Sequence, residues 1–237
     1  MALLRLDKCL CDLGLGTRSE IRDWIRGGRV SVDGRVLRRP EEKLDPETAE
    51  LELDGKSLRY RSRRYFMMDK PEGVITATED AAQKTVLDLL PPELRRLGLF
   101  PVGRLDKDTS GLLLLTNDGD FSHRVTSPKG GVWKRYLAEL DGDPDESDAA
   151  AFREGLLLGD GTRCLPAGLE RLGAGRCIVT VQEGKYHQVK RMLASRGKPV
   201  LKLRRLSVGG LELDESLGPG GVRELEADDL CTVFMDR

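Results

Sequence analysis

Aromatic residues make up only 5% of this 237-residue chain, and histidine occurs just twice, at His123 and His187. So low an aromatic content argues against the ring-lined clefts in which sugars are usually held, and two histidines give little from which to build a metal centre. The five cysteines (Cys9, Cys11, Cys164, Cys177 and Cys231) are odd in number and form no C-x-x-C pair. They read as reduced, mostly buried thiols, with Cys9 and Cys11 on different sides of one helix. No metal ligand set is expected. Long apolar runs are also missing. Leu112–Leu115 is strand-sized, whereas a membrane span takes roughly 20 residues. Charges in Met-Ala-Leu-Leu-Arg-Leu-Asp-Lys fall where a signal peptide would be apolar. A cytoplasmic protein that crosses no membrane is expected.

Net charge is only −1, but it is unevenly spread. Residues 1–39 carry nine Lys/Arg against five Asp/Glu, and residues 185–205 carry eight Lys/Arg and no acid. Local basic faces on a near-neutral chain suit a phosphate backbone.

Residues 1–59 form a unit of their own in this reading, and residues 60–237 a second, with the arginine-rich Arg59-Tyr-Arg-Ser-Arg-Arg64 at the joint. Leu3, Leu4, Leu6, Leu10 and Leu13 recur at near-helical spacing up to Gly14. Thr17-Arg-Ser-Glu20 is a capping box that starts a second, arginine-bearing helix. Val30–Val36 alternates about Asp33-Gly34, a hairpin signal. Further on, Tyr65–Met68, Val74–Thr78, Lys134–Leu140, Arg176–Gln182 and Val200–Arg204 read as strands. Helices are expected from Thr85 to Leu90 and from His187 to Arg196. On the latter, His187, Lys190 and Arg191 would share one face.

The stretch "GRLDKDTSGLLLLTNDGD" (103–120) admits three chemistries. Asp106, Asp108, Ser110 and Gly111 spell half of a calcium loop, but its last ligand position falls on neutral Asn117 and the loop runs into four leucines. Asp106 and Asp108 in an extended segment would lie about 6–7 Å apart on one side, a separation open to paired acid–base work. The third chemistry is a single reactive carboxylate at the entrance to a buried strand.

"RLDKCLCDLGLGTRSEIRDWIRGGRVSVDGRVL" resembles the RNA-binding module named after small-ribosomal-subunit protein four. The aspartate stretch, with "MMDKPEGVITATED", "SHRVTSP", "KRYLAEL", "EGKYHQVKRMLASRGKPVLKLRRLSVGGLEL" and "LGPGGVRELEADDL", resembles the RsuA-like family of bacterial ribosomal RNA pseudouridine synthases over nearly the full length. The resemblance implies an α+β fold: a small N-terminal module, then a catalytic domain with a mixed, mainly antiparallel sheet. It also implies isomerisation of one uridine in small-subunit ribosomal RNA without a cofactor. A large-subunit target and an RNA-binding ribosome-assembly factor are the competing readings. The implied partner is ribosomal RNA or an assembling subunit, met by a monomer.

By the same resemblance, Asp106 is the reacting carboxylate, Lys190 its cationic neighbour and Tyr136 the ring that stacks on the flipped-out base. Leu203 would line the uracil pocket and His187 contact the substrate nucleotide, Arg104 would either hold the nucleotide's phosphate or organise the loop, and Arg5, Lys8, Arg18, Arg22, Arg26, Arg29 and Arg191 would meet the surrounding RNA. Asp108, Asp118 and Asp120 are left as turn or capping residues. Asp69 departs from the family, which more often has asparagine there, and the change is expected to affect a turn.

Overall fold

The computed structural model describes residues 3–235. Two compact units emerge, Met1–Arg64 with Leu90–Leu99, and Tyr65–Leu89 with Phe100–Arg237. The main segment of the first unit thus runs a few residues past the 59/60 boundary read from the sequence.

In the first unit, α1 (Leu6–Asp12) and α2 (Arg18–Arg26) bury Leu6, Leu10, Ile21 and Ile25 completely. Each helix thus contributes an i, i+4 pair, and each such side chain contributes about 1.5–3 kcal/mol by leaving water. The capping box closes α2 as its sequence requires: Glu20 N–H donates to Thr17 Oγ1 (3.3 Å) and Thr17 N–H to Glu20 Oε2 (2.7 Å). Leu3 and Leu4 lie outside α1, because Leu4–Arg5 pairs as a short strand with Lys43–Leu44. A four-stranded antiparallel sheet packs on these helices, built from β1 (Val30–Val32), β2 (Arg35–Val36), β3 (Leu51–Leu53) and β4 (Lys56–Leu58) in the order β2-β1-β3-β4. Asp33-Gly34 and Asp54-Gly55 both adopt positive φ (50° and 74°, 51° and 74°), the backbone that tight two-residue hairpins demand.

The second unit is built on a nine-stranded sheet. Its main path uses β5 (Tyr65–Lys70), β6 (Thr109–Thr116), β7 (Lys134–Leu140), β8 (Gly168–Gly173), β9 (Arg176–Val181), β10 (Val200–Val208) and β11 (Val222–Glu224). The order is β8-β9-β7-β10-β6-β5-β11, antiparallel except where β10 runs parallel to β6. Because β6 lies between β5 and β10, Leu112–Leu115 are buried to within 1% of their surface, which explains the unbroken leucine run. Gly111 takes φ +102° where β6 meets β10, and a Cβ there would collide with the Arg205 backbone.

Helices α3 (Gly119–Thr126), α4 (Glu146–Glu154), α5 (Gln188–Ser195) and α6 (Ala227–Val233) complete the frame. Asp118 caps α3, accepting from the Asp120 and Phe121 N–H groups. Two expected elements are smaller than their sequences suggest. Val74–Thr78 contributes a single bridge from Ile75 to Thr85, and Thr85 opens one tight turn, Leu87–Leu89, whose Asp88 carboxylate accepts from Thr85 N–H and Oγ1. Proline at 91 and 92 leaves no length for a longer helix.

Candidate active site

The site lies within the second unit and begins with the loop that feeds β6. Lys70, the last residue of β5, is fully buried and donates from Nζ to the carbonyls of Pro71 (3.0 Å), Asp106 (3.0 Å) and Thr109 (2.8 Å). Thr76 Oγ1 donates to the Leu105 carbonyl (2.7 Å) and accepts from Leu105 N–H (3.1 Å), while Gly73 N–H donates to Lys107 O (2.8 Å). The segment carrying Asp106 is therefore fixed by its backbone, and its carboxylate is left to face the cavity. Burial lowers the Lys70 ammonium to about 8, against the opposing pull of the Asp106 and Asp108 charges.

Helix α5 brings the cation. Lys190 Nζ is 3.3 Å from Asp106 Oδ2 and 2.5 Å from Asp108 Oδ1. Asp108 is not merely a turn residue: the hydrogen bond from Lys190 holds its carboxyl below the usual range. His187 precedes the helix as its N-cap with φ 48°, so it lies off the helical face that periodicity assigns it with Lys190. Its Nε2 still comes within 3.5 Å of Asp106 Oδ1. Arg191 turns aside to Asp160 (2.5 Å).

Strands β7 and β10 form the wall. Tyr136 is 9% exposed, and its hydroxyl oxygen accepts from Arg205 Nη1 at 3.4 Å. Arg205 in turn donates from Nε to the Leu112 carbonyl (2.7 Å), tying the wall to β6. Lys134, two residues before Tyr136, is buried and donates to Val125 O and Gln182 O; burial and the charge of Arg205 lower it to about 8. A cavity of about 350 Å³ collects Arg104, Asp106, Lys134, Tyr136, His187 and Arg205. A smaller cleft of about 70 Å³ adjoins it and adds Lys190 and Leu203. The cavity is of the size that takes a small organic ligand. Arg104 is exposed at its edge.

All six residues expected at the catalytic and substrate positions are thus brought to one place. Lys70, Lys134, Asp108 and Arg205 also belong to it and are not among the expected residues. Lys134 is legible in principle, since residues two apart on a strand share a face. Asp69 sits in β5, not in a turn. It is buried and pairs with Arg204 (2.8 Å), a strap joining β5 and β10 on either side of β6.

The expected RNA contacts of the first unit are partly engaged in holding the module itself. Arg5, Arg18 and Arg22 surround the buried carboxylate of Asp7 at 2.9, 3.7 and 3.1 Å. Burial pushes the Asp7 carboxyl up, but the arginine hydrogen bonds and charges outweigh it and hold it below its ordinary value. Arg29 pairs with Asp54 (2.5 Å), and Arg26 is 3.6 Å from Asp23 on the exposed side of α2. Lys8 is exposed.

The second unit is an α+β domain whose sheet walls an aspartate-lined cavity, and known proteins make its class specific. Residues 64–195 match the RNA pseudouridylate synthase family, and residues 4–49 match the S4 domain. A Bacillus subtilis (strain 168) protein described as an uncharacterized RNA pseudouridine synthase is 43% identical over 231 residues, 96% of this chain and 97% of that one. The ribosomal small subunit pseudouridine synthase A of Vibrio cholerae is 42% identical over 98% of this chain and all of its own. Its Escherichia coli (strain K12) counterpart is 40% identical over 97% and 100%. A crystal structure of a pseudouridylate synthase superposes with a TM-score of 0.68 at 37% identity, covering 97% of this chain and 99% of that chain. The chain belongs to the RNA pseudouridylate synthase family and carries an S4 domain ahead of the catalytic one.

Proposed function

We propose that this enzyme converts one uridine of small-subunit ribosomal RNA into pseudouridine, with Asp106 as the reacting group. The observation that carries the reading is the Asp106 carboxylate facing the cavity between Lys190 and His187, with Tyr136 in the cavity wall. The curated relatives named for the small subunit, alike over nearly their whole length, support the choice of RNA.

The reaction balances within the substrate. The bond from the ribose C1′ to uracil N1 breaks, the ring turns, C5 bonds to C1′, and the proton on C5 is lost as N1 gains one. Asp106 adds to, or stabilises, the electron-poor fragment left when the first bond breaks. Lys190 offsets the cost of holding that carboxylate in a cavity partly shielded from water. Tyr136 stacks on the base, and its hydroxyl oxygen, which accepts from Arg205, assists removal of the C5 proton. Leu203 supplies apolar contact in the smaller cleft, and Arg104 at the edge meets the phosphate of the extruded nucleotide. A stacked uridine reaches such a cavity only after leaving its helix. Lys8, Arg26, Arg29 and Arg191 serve the surrounding RNA, with Arg5, Arg18 and Arg22 shaping the same module around Asp7. The enzyme works as a monomer in the cytoplasm, on the RNA or on an assembling subunit.

Small-subunit ribosomal RNA labelled with tritium at uracil C5 tests this with purified protein. The reading expects one equivalent of tritium released per RNA by the wild type and none by Asp106→Asn. Release only from large-subunit RNA would overturn the choice of substrate.

A further inference from the structure

Among the described residues, Tyr186 is the most exposed of the large hydrophobic side chains, with 72% of its surface open. It is nevertheless held in place. Its ring stacks on His187, with centroids 3.9 Å apart and planes 17° from parallel. His187 in turn stands 3.5 Å from Asp106, so carboxylate, imidazole and phenol follow one another outward from the cavity. The backbone on both sides is pinned. Lys185 N–H donates to Gln188 Oε1 (3.0 Å), and the Tyr186 carbonyl accepts from Arg191 Nη1 (3.4 Å), which Asp160 anchors. His187 takes a left-handed φ of 48°, a conformation L side chains rarely adopt. A rigid ring with one face covered and the other open is a ready surface for another flat ring.

The cavity lies beside this ring. Tyr136 is buried in its wall, whereas Tyr186 contributes at the mouth alongside exposed Arg104 and Lys107. A space of about 350 Å³ suits one nucleoside, so the rest of the strand must stay outside. The next base along leaves its own stack when its neighbour is extruded and meets an open aromatic face beside cationic side chains. We propose that Tyr186 is a stacking platform for the nucleobase adjacent to the flipped-out uridine, a second base-binding position outside the catalytic cavity. The inference rests on the uridine-in-RNA reading and adds a specificity contact to it.

The test uses the full-length enzyme and tritium release from ribosomal RNA carrying an abasic ribose immediately 5′ or 3′ of the target, compared with intact RNA. On intact RNA, Tyr186→Ala is expected to lower kcat/KM by about 5- to 150-fold, the range of one base stack, chiefly through KM. Tyr186→Phe and Tyr186→Trp are expected to retain the wild-type value. One abasic substrate should cost the wild type a similar factor and cost Tyr186→Ala nothing further. A merely structural role for Tyr186 would not produce that cancellation. Wild-type kcat/KM in Tyr186→Ala within twofold, or equal losses by wild type and variant on both abasic substrates, would overturn the proposal. Wild-type release from intact RNA tests the substrate reading separately, and the ratio is taken on whichever subunit RNA the wild type converts.

Discussion

Lys190 Nζ lies 3.3 Å from Asp106 Oδ2, a contact that joins helix α5 to the loop before β6 from a distant part of the sequence. The same ammonium is 2.5 Å from Asp108 Oδ1, so one cation is shared between two carboxylates of unequal exposure: 28% for Asp106 and 74% for Asp108. Asp108 thereby tempers how firmly Lys190 grips Asp106.

Replacing Lys190 by methionine removes the cation that both carboxylates share. At an effective dielectric constant near 20, a charge about 4 Å away is worth up to about 4 kcal/mol, reduced here by partial exposure. Single-turnover tritium release by Lys190→Met is expected to fall about 10- to 1,000-fold, with Lys190→Arg much closer to wild type. Asp108→Asn should lose less than about tenfold, because it acts only through Lys190. Equal and complete loss in Asp108→Asn and Asp106→Asn would contradict this division of roles.

Buried Lys134 predicts a pH dependence of stability. Its folded-state value of about 8 lies below the ordinary 10.5, because burial and Arg205 disfavour the charge. Between these values the unfolded chain binds more protons than the folded one, so this group's contribution to stability rises with pH through that window. Urea unfolding from pH 7 to 10 should show wild type gaining on Lys134→Met by about 1 kcal/mol per pH unit above 8. Lys70 is present in both proteins and cancels. A difference that stays flat with pH would contradict the assignment.

Asp7 holds three guanidinium groups from within the core of the first unit. Asp7→Asn removes the carboxylate that these partly exposed guanidinium groups share, and unfolding measurements should find a loss of about 1.5–3 kcal/mol. Stability within about 0.5 kcal/mol of wild type, the range of a neutral surface change, would show the cluster to be incidental.

Exposed Lys8 and Arg26 make a different prediction. The double variant Lys8→Ala/Arg26→Ala should fold normally but bind RNA with a shallower salt dependence. The slope of log K against log salt is expected to fall by about 0.7–0.9 for each phosphate no longer neutralised. An unchanged slope would remove these two residues from the RNA-binding face.

Local signals are legible where the physics is local. Thr17 and Glu20 form the capping box, Asp33-Gly34 the hairpin, and Leu112–Leu115 a strand buried between neighbours. Asp54-Gly55 carries the same hairpin signal and is open to the same reading. The family motifs point to Asp106, Tyr136 and Lys190, and these three share one site. What the sequence conceals is tertiary. Nothing adjacent to Lys70 reveals that its ammonium will be consumed by three carbonyls, two of them on the far side of a long excursion of the chain. The Asp69–Arg204 strap spans 135 positions, and the left-handed backbone at His187 overrides the helical periodicity that would enrol it.

Mapping pseudouridines in cellular ribosomal RNA tests most directly the proposal that Asp106 makes one pseudouridine in small-subunit ribosomal RNA. Maps from cells lacking the protein and from cells expressing only Asp106→Asn should both lose the same single small-subunit site, with every other site intact. A map unchanged in either strain would contradict the account.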